Sequence, residues 1–139
     1  MESLKVQEYM QHHPVLFHTD IPVAEAVEML IHHRQTGGAV VDERKKVIGF
    51  LSEQDCLNRM IESSYYRQQV ATVGDIMQKD VVAVKPYDSV LEVAQRILKD
   101  YILVFPVIDD DGVLVGVINR TQVLQAIDVQ LHDGYRVHG

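Results

Sequence analysis

The chain is an internal duplication, because its second half repeats its first after a shift of 67 residues. Two stretches, 6–57 and 73–124, align without a gap, and ten of the 52 aligned positions carry the same residue. The identical pairs are Val6/Val73, Met10/Met77, Gln11/Gln78, Val15/Val82, Val23/Val90, Glu25/Glu92, Val40/Val107, Asp42/Asp109, Gly49/Gly116 and Leu57/Leu124. Such a repeat is one supersecondary unit used twice, with each copy covering the other's apolar face. We therefore expect any functional site to lie between the copies.

Length and composition fit one globular domain spanning residues 1–139. One copy of about 55 residues would be marginal alone, whereas the whole chain can bury roughly two-thirds of its unfolded surface. The composition, 47% hydrophobic and 24% charged, is typical of such a domain. No apolar run approaches the roughly 18 to 20 residues of a membrane span, and the N-terminus lacks the apolar core of a secretory signal. We expect a cytoplasmic protein without a membrane role.

Charge and cysteine content exclude further classes. A net charge of −7, without a basic cluster, disfavours nucleic acid as a partner. Cys56 is the single cysteine, so no internal disulfide can form and paired cysteines for zinc are absent. Cys56 falls within an apolar helical stripe, which indicates burial rather than catalysis. We expect no enzymatic activity.

In the first copy, apolar residues recur at helical spacing over 23–31. Two short, β-branched runs, 39–42 and 47–51, flank a polar turn and predict a β-hairpin. Ser52 is then placed to cap a second helix, with Asp55 as the third helical residue. With a strand ahead of the first helix, the predicted order is strand, helix, strand, strand, helix.

The second copy repeats this order. Its first strand is predicted at Val81–Val84, and after a capped helix its hairpin strands are predicted at 105–109 and 113–118. Gly112 suits the positive φ of the turn between them. A last helix is predicted from Thr121 to about 131.

These elements define the expected organisation of the chain. It comprises a first repeat at 4–62, a connector at 63–72, a second repeat at 73–131 and a fraying tail at 132–139. The predicted fold class is α+β, with two β-α-β-β-α repeats related by a pseudo-twofold axis and two small sheets flanked by helices.

The duplicated order and two motifs resemble a tandem cystathionine-β-synthase (CBS) domain pair, the Bateman module. The motifs are GFLSEQD at 49–55 and FPVID at 105–109. The likeness covers about residues 4 to 130 and includes shared features in both copies: a Met before the first strand, an acidic end to the second strand and a Gly in the third. The resemblance implies two clefts between the repeats and modules that pair into a disk-shaped homodimer.

In CBS pairs each cleft can hold an adenosine-type ligand, and the matching residues here have suitable chemistry. Ser52 stands at a strand-to-helix junction, where its hydroxyl and free helix N–H groups suit a phosphate or ribose oxygen. Asp55 can accept charge-assisted hydrogen bonds from both ribose hydroxyls. The family pattern adds Met77, Val82, Ile102, Leu103 and Val104 around the adenine, with Thr36 and Gly37 near the phosphate end.

The second cleft departs from the pattern. Asn119 and Gln122 stand where the first copy has its serine and aspartate, and Met10 and Val15 complete this cleft. Asn119 replaces the hydroxyl, and Gln122 replaces the ribose-binding carboxylate. We expect this cleft to be empty or to bind weakly, leaving one competent site per chain.

The expected ligand is AMP, or a molecule without a phosphate tail such as S-adenosylmethionine, rather than ATP. Family members that favour multiply charged nucleotides often carry a basic residue just ahead of the second strand, where this chain has Thr36-Gly37-Gly38 and Leu103-Val104-Phe105. No cofactor is expected to be required. The predicted function is a regulatory module whose ligand changes its packing, a change that an unidentified effector protein reads.

Three other interpretations stay open. Ser52 and Asp55 also suit a plain helix cap without a ligand. A structural dimer with vestigial clefts has the same sequence pattern. The histidines at 12–13, 18 and 32–33 suggest a metal-dependent enzyme, but adjacent helical residues point about 100° apart, so we expect no metal site.

Overall fold

The computed structural model describes residues 4–66 and 71–138, and it confirms the predicted α+β fold with two small sheets. After a 3-10 turn at Val6–Glu8, the first repeat contains β1 (Leu16–Phe17), α1 (Val23–His33), β2 (Gly37–Val41), β3 (Val47–Ser52) and α2 (Glu53–Tyr66). The second contains α3 (Val73–Ile76), α4 (Val90–Asp100), β4 (Val104–Ile108), β5 (Leu114–Asn119) and α5 (Arg120–His138).

The two β-hairpins are built alike. Strand β2 pairs antiparallel with β3, and β4 pairs antiparallel with β5, with each register irregularity at the same aligned position. Gly112, in the second hairpin's turn, has a φ of +84°, as the turn prediction requires.

The first strand of the second repeat, predicted at Val81–Val84, does not form. Only Val84 makes a parallel bridge, to Val107, which is the counterpart of the Phe17–Val40 pair between β1 and β2. The next pair of the first repeat uses Ala39, whose counterpart is Pro106. Proline has no N–H to donate, so the ladder is reduced to a single bridge.

The hairpins of the two repeats meet on the pseudo-twofold axis. Lys46 bridges Val113, its own counterpart after the 67-residue shift. The N–H of Val47 donates to the carbonyl of Gly112 at 3.0 Å, and that of Leu114 donates to Lys45 at 2.9 Å. Two aligned positions that pair with each other place the symmetry axis between β3 and β5.

Each repeat lends its N-terminal segment to the other's core. The N–H of Val6 donates to Asp88 at 2.9 Å, and by symmetry that of Val73 donates to Ile21 at 2.8 Å. Val6 is buried in the core of the second repeat, and Val73 in that of the first. Each core is therefore incomplete without the other copy.

The helices extend beyond two predicted boundaries. Helix α2 runs into the predicted connector as far as Tyr66, while 67–70 lie outside the described residues. Helix α5 continues to His138, through most of the segment predicted as a tail at 132–139. The backbone continues helical even through Gly134, which weakens a helix without ending it. No helix of the described segments combines the length and apolar character needed to cross a membrane.

A candidate ligand cleft between the repeats

A cavity of about 280 Å³ lies between the two repeats at the N-terminus of α2. Its wall from the first repeat is formed by Thr36, Phe50, Ser52, Glu53 and Gln54. Its wall from the second repeat is formed by Gln78, Asp80, Val81, Val82, Tyr101, Ile102, Leu103, Val104 and Pro106. The volume is near the lower end for small-molecule sites, roughly 300–1,000 Å³. One side of the cavity is mainly apolar, and polar groups gather at the start of α2.

Six of the residues predicted for the first cleft line this cavity. They are Thr36, Ser52, Val82, Ile102, Leu103 and Val104. Gly37 lies behind the wall, where a Cβ would come within 2.7 Å of the Phe50 ring, so its lack of a side chain lets that ring line the cavity. Met77 packs instead on Gly49 and the first core. Asp55 is not among the lining residues either, but its carboxylate is hydrogen-bonded to two of them, Ser52 and Gln78.

Ser52 and Asp55 form a capping box at the start of α2. The Ser52 hydroxyl accepts the N–H of Asp55 at 3.1 Å and donates to Oδ2 of its carboxylate at 2.7 Å. The plain helix cap is thus present in the structure, and it holds the carboxylate one bond from the cavity.

Gln78 connects Asp55 to the second repeat. Its Nε2 donates to Oδ2 of Asp55 at 3.0 Å, and its backbone exchanges hydrogen bonds of 2.8 and 2.9 Å with Phe50. All hydrogen bonds that the described residues donate to the Asp55 carboxylate end on Oδ2. Oδ1 is the oxygen left to accept from a ligand. Sequence reasoning missed Gln78, although its identity with Gln11 marked it as one of the few repeated polar residues.

The second cleft has the same cap but different side-chain pairing. Asn119 Oδ1 accepts the N–H of Gln122 at 2.8 Å, and the N–H of Asn119 donates to Gln122 Oε1 at 2.9 Å. The Oε1 acceptor of Gln122 is therefore already used in capping the start of α5. Across the cleft, Gln35 Nε2 donates to Gln11 Oε1 at 3.3 Å.

The remaining residues predicted for the second cleft pack into the protein. The Met10 side chain packs against Gly116, and the Val15 side chain is buried beside Gly38. Both side chains are apolar, so neither offers a strong hydrogen bond to a ribose hydroxyl.

Two carboxylates, Glu53 and Asp80, line the first cavity, and no lysine or arginine is among its lining residues. Arg34 lines a separate groove between α1 and α2. The charged residues of the cavity wall are therefore both acidic.

Groups that could support catalysis are poorly placed. Cys56 is buried, and burial, followed by the charges of Asp55 and Glu53, raises the pKa of its thiol. Among the side chains described by the structure, those of residues 4–62 and 71–132, no three of His, Cys, Asp or Glu are grouped to hold a metal ion. His33 Nδ1 instead lies 2.8 Å from the Met29 carbonyl near the end of α1.

The helices of both repeats expose large apolar side chains at aligned positions. Ile31 and its counterpart Leu98 are 71% and 77% exposed, and Leu57 and its counterpart Leu124 are 58% and 67% exposed. An apolar groove between α1 and α2 contains Ile31 and Leu57 and shares Thr36, Glu53 and Gln54 with the cavity wall. The cleft and this helical face thus have the first turn of α2 in common.

Comparison with known proteins gives a consistent assignment. The CBS domain family model matches residues 6–62 and 73–129. An inosine-5'-monophosphate dehydrogenase of Nitrosopumilus maritimus is 28% identical over 91% of this chain, which spans only 26% of that enzyme. Among solved structures, the CBS domain pair of protein MJ0100, in complex with 5'-methylthioadenosine and S-adenosyl-L-methionine, has a TM-score of 0.79 and 23% identity, covering 93% of this chain and 99% of that one. CBSX2 of Arabidopsis thaliana, in complex with AMP, has a TM-score of 0.78 and 25% identity, covering 92% and 98%.

Proposed function

The chain belongs to the CBS domain family, and we propose that it is a non-catalytic regulatory module that binds an adenosine-containing ligand in the cleft between its repeats. The observation that carries the proposal is the cavity itself, which joins an apolar wall to a helix N-terminus and is lined by Ser52 and Gln78, the two residues that hold the Asp55 carboxylate. The AMP complex of CBSX2 supports this ligand class.

Each part of the cleft suits one part of such a ligand. The adenine ring fits between Phe50 and the apolar wall at Val82 and Ile102, where burial of flat apolar surface is favourable. Oδ1 of Asp55 faces no competing donor among the described residues and can accept a ribose hydroxyl. The hydroxyl of Ser52 supports this carboxylate rather than the ligand directly.

The module signals, in this proposal, through its helical faces. The exposed residues Ile31, Leu57, Leu98 and Leu124 form the contact surface of a homodimer, because apolar side chains this exposed are stabilised when a partner covers them. A ligand touching Glu53 and Gln54 acts on the same helix that presents Leu57. Binding can therefore change the packing of the dimer, which an effector protein reads.

Calorimetric titration of AMP, ATP and S-adenosylmethionine into wild type and Asp55→Asn tests the ligand site. The asparagine keeps an acceptor for the helix cap but removes the charge, so we expect at least about tenfold weaker binding, the size of a lost charge-assisted hydrogen bond. Asp75→Asn is the matched control, because it makes the same replacement in the capping box at the start of α3, outside the cavity wall. Equal affinity in wild type and Asp55→Asn would overturn the site.

Thermal unfolding separates the regulatory module from the structural dimer with vestigial clefts. A ligand that binds the native state raises the unfolding temperature with its concentration. A scaffold shows no shift with any of the three ligands. Light scattering of Leu57→Glu and Leu124→Glu tests the dimer, and a wild type that is monomeric at high concentration rejects it.

A further inference from the structure

Three wall residues of the first cleft differ in charge from their aligned counterparts in the second repeat. Glu53 and Asp80 line the first cleft, where their counterparts in the second repeat are Arg120 and His13. Tyr101 also lines the first cleft, and its counterpart is Arg34. At these three positions the first cleft thus has two acidic residues and a tyrosine, whereas the second repeat has two arginines and a histidine.

The backbone is closely matched at two of these positions, so the difference there lies in the side chains. Tyr101 and Arg34 both follow a helix and have φ of 56° and 54°. Glu53 and Arg120 are both the first residues of their helices, and their N–H groups donate to Thr36 and Leu103 at the same distance of 2.9 Å.

Resting on the proposed adenosine site, we propose that Glu53 and Asp80 make the first cleft select against negative charge on the 5' substituent of its ligand. A phosphate carries about −1.5 to −2 charges near pH 7 and would be repelled by both carboxylates. A neutral ribose 5' hydroxyl or a cationic sulfonium tail avoids that repulsion. Adenosine and sulfonium nucleosides therefore bind more tightly than AMP, and AMP more tightly than ATP.

The size of the effect follows from the exposure of the two residues. Both carboxylates reach solvent, where a charge pair changes affinity by about fivefold at most. Removing both is expected to lower the ratio of the AMP to the adenosine dissociation constant by about tenfold, with a smaller change at high salt because exposed charges are screened.

Titration calorimetry with adenosine and AMP tests the proposal, because the two probes differ by one phosphate. The variant is Glu53→Gln with Asp80→Asn, and the control is Glu25→Gln with Glu92→Gln, which removes the same net charge from exposed sites outside the cavity wall. The ratio falls in the variant and is unchanged in the control. Exchanging the three positions for the residues of the second repeat, as Glu53→Arg, Asp80→His and Tyr101→Arg, makes AMP the tighter ligand.

The outcomes separate this inference from the function on which it rests. If adenosine binds but the ratio is the same in wild type and in both charge variants, the selection is overturned and the adenosine site stands. If the control lowers the ratio as much as the variant, the effect belongs to the net charge of the protein, and the assignment to these residues fails. If neither probe binds, the proposed function and the inference fail together.

Discussion

The two clefts show how two sites on one repeated backbone acquire different chemistry. In both, a glutamine of one repeat exchanges backbone hydrogen bonds with the third strand of the other, Gln78 with Phe50 and Gln11 with Val117. The side chains then diverge, because Gln78 bonds to Asp55 whereas Gln11 bonds to Gln35. The shared backbone hydrogen bonds fix the position of each glutamine against the neighbouring strand, which we call the frame of the cleft. The side chains of the wall can then differ and determine which ligand binds.

The largest expected effect is on stability and comes from a substitution in the hydrophobic core that supports the frame of the first cleft. Phe17 is fully buried in the first core, so Phe17→Ala is expected to lower the free energy of unfolding by about 3–5 kcal/mol. Urea denaturation measures the loss. Since the repeats exchange their N-terminal segments, both unfold in one transition. Two separate unfolding transitions would show that the two repeats fold independently, contrary to this expectation.

A smaller effect on stability is expected at Gly49 and Gly116, the glycines that lie against the backbone of Gln78 and Gln11. A Cβ at Gly116 would lie 2.8 Å from the Gln11 carbonyl, whereas at Gly49 the nearest backbone atom is the Gln78 carbonyl at 3.1 Å. A backbone oxygen within a bridge cannot move easily, but the Met77 sulfur that also crowds Gly49 can. We expect Gly116→Ala to cost about 1–3 kcal/mol and Gly49→Ala less. Equal losses in denaturant titrations would contradict this ordering.

The caps offer a comparison in which stability and binding separate. Ser52→Ala and Asn119→Ala each remove a capping acceptor and are expected to cost about 1 kcal/mol. Only Ser52→Ala also frees the Asp55 carboxylate, so it alone should weaken AMP binding. Unfolding and calorimetry on the same samples measure both quantities, and weaker binding in Asn119→Ala would show that the second cleft takes part.

The fold could be predicted largely because its signals are local and occur twice. Helical periodicity, β-branched runs and Gly112 gave the elements of each repeat. The missing strand at Val81–Val84 depends on Pro106, which lies on a neighbouring strand, and pairing of that kind is not written in the local pattern. The continuation of α5 to His138 was missed because that segment lacks apolar periodicity.

Only those site residues that belong to the family's sequence pattern could be predicted. Ser52 and Val82, which the family pattern includes, line the cavity, but Glu53, Asp80 and Tyr101 join it from three separate segments. No spacing within the sequence brings those three together. The alignment of the repeats does show their charge difference, once the fold has placed them in one wall.

The smallest expected effect lies at the N-terminal segments that the repeats exchange. Asp75 Oδ2 accepts the N–H of Thr72 at 2.9 Å at the start of α3, where the first repeat has Lys5, Glu8 and only a 3-10 turn. The backbone N–H of Thr72, followed by its hydroxyl, lowers the pKa of Asp75 from the ordinary 3.8.

A carboxyl group whose pKa is lower in the folded state stabilises the fold above its ordinary pKa and loses that contribution as the pH falls through the folded value. Asp75→Asn should therefore lower stability slightly at pH 6 and flatten its decrease below about pH 4, near the unfolded pKa of an aspartate. Urea midpoints at pH 6 and pH 3 measure the difference, with Glu8→Gln as the control at the aligned position. The same slope in wild type and Asp75→Asn would show that this contact does not distinguish the two exchanged segments.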